Sequence, residues 1–249
     1  MSKLQQTPVN EERRALLKAG AMATGTVLAP GLLLFGAAQA RAPEEPASDK
    51  VRWGMIIDVS KCADGCNDCV TACNEENGLS GATGRQDSQW IRKLNIRHLK
   101  TGVQTSLPML CQHCEHPPCV DVCPTGASMK RADGIVLVDR HICIGCRYCM
   151  MACPYKARSF VHEPLTDQNP EVPRGKGCVE SCTFCVQKLD RGENTTACVE
   201  ACNAAGHKAM VFGDMNDPTS EIAQILKTQK TTEVRADLGL NTGVRYQGI

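Results

Sequence analysis

The run Cys143-Ile144-Gly145-Cys146-Arg147-Tyr148-Cys149-Met150-Met151-Ala152-Cys153-Pro154 is spaced C-x2-C-x2-C-x3-C-P. Three thiols fall on a loop short enough to wrap one small object. The fourth lies one helical turn beyond the third. This is the spacing of a [4Fe–4S] binding loop, in which the fourth Cys serves a second cluster nearby. Gly145 lets the loop backbone approach closely, and Pro154 ends the short helix. A structural zinc site fits the run less well, because such sites usually draw on Cys pairs far apart in the chain.

Three further groups surround this run. Cys62, Cys66, Cys69 and Cys73 are spaced C-x3-C-x2-C-x3-C. Cys111, Cys114, Cys119 and Cys123 are spaced C-x2-C-x4-C-x3-C, followed by Pro124. Cys182, Cys185, Cys198 and Cys202 are spaced C-x2-C-x12-C-x3-C, the widest and least specific of the four. Each group ends in the same C-x3-C half, which marks an internal repeat. Of the 17 Cys, only Cys178 is left outside the quartets.

Composition agrees with a metal-supported fold. Aromatic residues make up only 4% of the chain, so the apolar core is modest. Metal binding free energy is also folding free energy and offsets that shortage. Residues 1–40 carry four Lys/Arg and two Asp/Glu, leaving 24 against 25 in the remainder. That balance is no footprint for nucleic acid.

Residues 1–42 read as a targeting segment. Arg13 and Arg14 open a twin-arginine-like motif, 13–18 (RRALLK), and a mildly apolar stretch follows from Ala19 to Ala38. Ala38-Gln39-Ala40 is an A-x-A cleavage site, with Ala40-Arg41-Ala42 as the second option. The stretch is also long enough for a membrane anchor, but Gly, Ala, Thr and Pro make it weakly hydrophobic. Export as a folded protein suits a chain whose clusters are assembled beforehand. An exported Cys-rich chain is more often a disulfide scaffold, but the odd Cys count and the loop spacing oppose that here.

Residues 43–249 are expected to form one domain. Its strands are predicted at 51–59, 90–99, 134–139 and 208–212, from apolar runs and alternation. Residues 130–133 and 161–177 read as turn and loop. Residues 187–192 read as a helical turn and a loop. A helix opens around 217–221, where Asp217 is the cap candidate and Pro218 stands in the first turn. Ile222, Ile225 and Leu226 line its inner face. The tail from Thr232 onward is polar and Gly-containing. His113 and His116 lie inside the second Cys group. The spacer already has four Cys, so these His are expected to hydrogen-bond sulfur or backbone rather than ligate.

The four groups in this order resemble the four-cluster iron–sulfur subunits of the complex iron–sulfur molybdoenzyme superfamily. These include the electron-transfer subunits of polysulfide and dimethyl-sulfoxide reductases and the NrfC-type proteins. The segments that carry the likeness are 111–127 (CQHCEHPPCVDVCPTGA), 143–158 (CIGCRYCMMACPYKAR), 198–202 (CVEAC) and 212–221 (FGDMNDPTSE). Within the superfamily the chain is similar to DsrO-type periplasmic subunits of DsrMKJOP complexes. The features there are 13–18, 51–69 with its longer first spacer, and 175–185 (GKGCVESCTFC) with its extra Cys.

The resemblance implies an α+β fold: a duplicated ferredoxin-like domain with four [4Fe–4S] clusters, short strands, short helices and long loops. It pairs the first group with the fourth, while the second and third groups pair as neighbours. The implied ligand sets are then Cys62, Cys66, Cys69 and Cys202; Cys182, Cys185, Cys198 and Cys73; Cys111, Cys114, Cys119 and Cys153; and Cys143, Cys146, Cys149 and Cys123. The implied function is electron relay with no catalytic residue. The implied partners are a membrane quinone-interacting subunit (DsrP-like) and a periplasmic multihaem cytochrome c (DsrJ-like). A catalytic iron–sulfur enzyme would need an open iron or a second cofactor, and no nucleotide or flavin fingerprint is present. Cys178 stands four residues before Cys182, so a helical turn would put both on one face. It could replace Cys182, pack as a free thiol, or face a partner. The superfamily spacing favours the free thiol.

Overall fold

The near-continuous apolar run after the linker forms the central strand of the main sheet. Strand β1, Trp53–Asp58, buries Met55, Ile56 and Ile57, so neither of its faces is solvated. It pairs antiparallel with β8, Met210–Asp214, and parallel with β9, Val244–Gln247. In this computed structural model the described residues are 46–249, except 80–83, 85, 98, 103 and 167. The predicted leader, 1–42, lies outside them.

The remaining elements are short, a mixed α/β pattern. Helix α1 spans Asp68–Glu76, and β2, Arg92–Arg97, makes a hairpin with β3, Gln104–Met109. Helix α2 is Pro118–Asp121, and β4, Ser128–Lys130, pairs with β5, Val136–Val138. Helix α3, Tyr148–Ala152, leads to β6, Ser159–Phe160, which pairs with β7, Val179–Glu180. Helix α4 is Val186–Asp190, α5 is Ala197–Ala204, and α6 is Glu221–Thr228. Each C-x3-C half places its first Cys on α1, α2, α3 or α5. Helix α1 packs on α5, and α2 packs on α3.

Four expectations are corrected. The tail is not merely polar: β9 completes the main sheet, and Val244 and Tyr246 are fully buried. Its alternation covers only four residues between glycines, too short to stand out as a pattern. The cap of α6 is Ser220, whose hydroxyl accepts from the Ala223 N–H at 3.2 Å. Asp217 instead accepts from the Thr219 N–H in the preceding turn. Third, Lys130 closes β4, so the turn begins only after it. In β2, Leu94 and Ile96 are exposed, because this hairpin is a two-stranded sheet. The buried apolar residues there are Trp90 and Ile91, just before the strand.

Candidate metal centre

All 17 Cys are free thiols. The helix pairing decides which of them meet. Packing α1 on α5 brings Cys202 to Cys62, Cys66 and Cys69, and the four line one small cavity. The same contact puts Cys73 with Cys182, Cys185 and Cys198. Packing α2 on α3 brings Cys153 to Cys111, Cys114 and Cys119. It also puts Cys123 with Cys143, Cys146 and Cys149 around a second small cavity. Each quartet therefore draws three thiols from one group and one from its partner group.

The second and third quartets, counting from Cys62 inward, are wholly buried. The two outer ones reach the surface: Cys62, Cys66, Cys123 and Cys143 are half-buried, and Cys146 is exposed. Cys69 and Cys73 sit one turn apart on α1 and join the first quartet to the second. Cys119 with Cys123, and Cys149 with Cys153, join the third to the fourth. Between the inner two, the Phe184 ring lies on the His113 ring at a centroid distance of 3.7 Å. Phe184 stands between Cys182 and Cys185, and His113 between Cys111 and Cys114.

Hydrogen bonds point at sulfur from several sides. The N–H groups of Ala209, Phe184 and Ser128 donate to Cys202, Cys182 and Cys123 at 3.4, 3.5 and 3.3 Å. Thr196 Oγ1 lies 3.2 Å from Cys198 Sγ, and Asn77 Nδ2 lies 3.7 Å from Cys73 Sγ. Lys93 Nζ caps the first loop by donating to the Ala63 and Cys66 carbonyls. Burial, and then the neighbouring thiols, push Cys198 up to about 12. Burial does the same to Cys69, up to about 11, although the Lys93 charge opposes it. Burial raises Cys123 too, but the hydrogen bonds from Ser128, Thr125 and Ala127 outweigh it and leave that thiol lowered.

This donor set fits [4Fe–4S] chemistry. Four sulfurs converge on each small space, and their crowding opposes ionisation unless a cationic core neutralises them. Backbone N–H groups aimed at sulfur are the lever by which a protein tunes such a group.

His113 does not join a quartet. Its Nδ1 accepts from the Val136 N–H at 3.0 Å, as the sequence led us to expect of a non-ligand. Burial, and then the Arg158 charge, push it down to about 3, so the ring is neutral. His116 is exposed. Cys178 corrects the sequence reasoning. A strand, β7, separates it from Cys182, so no helical face is shared. It lies beside Cys143 instead, and its Sγ is 3.3 Å from the Arg140 carbonyl. Sequence reasoning also missed Arg158, which is buried against Cys119. The one available signal was a lone Arg five residues beyond a Cys quartet.

The fold and the converging thiol quartets define a polycluster iron–sulfur protein of the ferredoxin type. A family model for the 4Fe-4S dicluster domain matches residues 103–215. The chain is 42% identical to the Hdr-like menaquinol oxidoreductase iron-sulfur subunit 1 of Archaeoglobus fulgidus, over 94% of this chain and 96% of that one. It is 37% identical to a tetrathionate reductase subunit of Salmonella typhimurium, over 90% and 84%. It is 38% identical to NrfC of Escherichia coli K12, over 76% and 77%. The chain belongs to the iron–sulfur subunit family of the complex iron–sulfur molybdoenzymes, and it carries multiple [4Fe–4S] clusters.

Proposed function

We propose that this chain is a non-catalytic electron-transfer subunit. It relays single electrons between a membrane quinone-interacting subunit and a periplasmic multihaem cytochrome c in a sulfur-metabolism complex of DsrMKJOP type. The observation that carries this reading is the line of four thiol quartets, buried in the middle and open to the surface at both ends. Four clusters, in a duplicated ferredoxin-like domain, occupy the crosswise ligand sets inferred above. When bound, each supplies one-electron redox chemistry. The protein's own part is to hold the thiols in register, keep water from the two inner quartets and leave one contact point at each end.

The fourth quartet is flanked by exposed apolar side chains, Val122, Ile142, Ile144, Tyr148 and Met151. That end is assigned to the membrane subunit (DsrP-like), and the end at Cys62 and Cys66 to the cytochrome (DsrJ-like). The name of the Archaeoglobus relative, a menaquinol oxidoreductase subunit, supports a quinol-linked partner. The leader is assigned to folded export to the periplasm, with the domain from residue 43 onward on that side.

A second reading is favoured by the tetrathionate and selenate reductase relatives. In it the chain is the iron–sulfur subunit of a molybdopterin oxidoreductase. Two measurements decide. Iron and acid-labile sulfide at about sixteen each per chain are expected for four cubane clusters; zinc in their place refutes the relay. The complex purified from native membranes is expected to contain c-type haem. Molybdenum without haem selects the second reading.

A further inference from the structure

Arg158 lies in the turn between α3 and β6 and is 5% exposed. A guanidinium does not lose its charge in a protein, and burying it without a counter-charge is unfavourable. Among the described residues, the partners the structure shows for it are a hydroxyl and thiols, and the thiols become counter-charges only as cluster thiolates. Its Nη2 donates to Cys119 Sγ at 3.2 Å and to Ser128 Oγ at 2.8 Å. Its charge is also felt at Cys149 and Cys111. Cys119 and Cys111 belong to the third quartet, and Cys149 to the fourth. The remaining donors, Nε and Nη1, are buried and have no protein acceptor. Buried donors are nearly always satisfied, so these two call for an acceptor that side chains do not provide. The sulfides and thiolates of a cluster would be one.

We propose that Arg158 is a shared counter-ion that raises the reduction potentials of the clusters held by the third and fourth quartets, an inference that rests on the ligand sets proposed above. Reduction adds one negative charge to a cluster. A fixed positive charge in a low-dielectric interior stabilises the reduced form more than the oxidised form. Because it bonds Cys119 of the third quartet and is linked through Ser128 to Cys123 of the fourth, Arg158 favours the electron on either of them over the two quartets of the α1–α5 half. Ser128 orients the fork: its hydroxyl accepts from Arg158, while its own N–H donates to Cys123 of the fourth quartet.

The test is an EPR-monitored redox titration of the purified full chain and of Arg158→Gln and Arg158→Lys, each with iron and sulfide analysis. Arg158→Gln is expected to keep its iron and to show two midpoints lowered. The expected change is at least tenfold in the equilibrium, or about 59 mV for one electron. Arg158→Lys keeps the charge but loses the fork, so at least one of the same midpoints falls, by less. Unchanged midpoints in a variant that has retained its clusters overturn the inference. So does a uniform fall in all four signals, which would mark a general disturbance. If Gln loses a cluster, the Lys variant gives the answer, and cluster loss in both assigns Arg158 to assembly instead. A parent protein without four cluster signals defeats the ligand assignment itself, a failure distinct from that of Arg158.

Discussion

Gly145→Ala tests how tightly two loops hold the fourth quartet. Gly145 has φ of +67°. A Cβ there would fall inside the contact surface of the Gly177 carbonyl oxygen and 3.1 Å from Phe160 Cε2. The obstacle is mainly backbone, so a side-chain rotation does not relieve it. The left-handed conformation costs an L-residue about 1–2 kcal/mol, and overpacking adds about 1–3 kcal/mol. The total of about 2–5 kcal/mol is below the roughly 5–15 kcal/mol that holds a typical domain together. The molecule therefore stays folded and gives way locally. The cheapest relief is to part the Cys143–Cys146 loop from the loop that carries Cys178. Iron per chain is then expected to fall by about a quarter, with one EPR signal lost and three retained. Gly177→Ala is the control. It has φ of +82° but meets nothing within 4 Å, so it bears strain without a clash and should keep more iron. Full iron, four unchanged signals and an unchanged melting temperature in Gly145→Ala would refute this account of the loop contact.

Tyr246→Phe leaves the Pro108 carbonyl and Gln112 Nε2 without the hydroxyl that now bonds both, at 3.0 and 3.1 Å. A loss of about 1–3 kcal/mol is expected in denaturant unfolding of the loaded protein, and equal midpoints would exclude a structural role for that hydroxyl. Cys178→Ser should keep the parent's iron content, and any spectral change should be confined to the quartet of Cys143. Cys182→Ser should remove or convert one cluster in the other half. A missing cluster in the Cys178 variant would make that thiol a ligand. Arg13→Lys combined with Arg14→Lys should hold the protein in the cytoplasm with its clusters assembled. Cell fractionation decides, and undiminished periplasmic recovery means that another route reads the leader.

Much of the metal centre was legible because its signals are local. Three thiols on one short loop, and a C-x3-C on one helical turn, depend on residues a few positions apart. Chain connectivity alone keeps such residues close. The apolar run at 51–59 is likewise long enough to read as a strand without knowing its neighbours. The sequence alone therefore determined the four Cys groups, their helical C-x3-C halves and a strand at 51–59, although not that this strand is the central one. It also suggested a non-ligating role for His113, although not the Val136 N–H that donates to it or the Phe184 ring beneath it.

The rest depended on the tertiary structure, although the family resemblance had implied that the first and fourth groups pair. Spacing does not say which helix Cys202 will face, because it is separated from Cys69 by more than half of the chain. That follows from α5 packing on α1, which depends on the whole buried surface. Cys178 was placed wrongly by a helical rule because β7, not a helix, follows it. Strand β9 was missed because its burial comes from pairing with β1, far away in sequence. Arg158 reads as an ordinary surface charge until α2 and α3 close around it. A charge reveals its purpose only when the groups that share its low-dielectric surroundings are known, and packing, not spacing, brings those groups together.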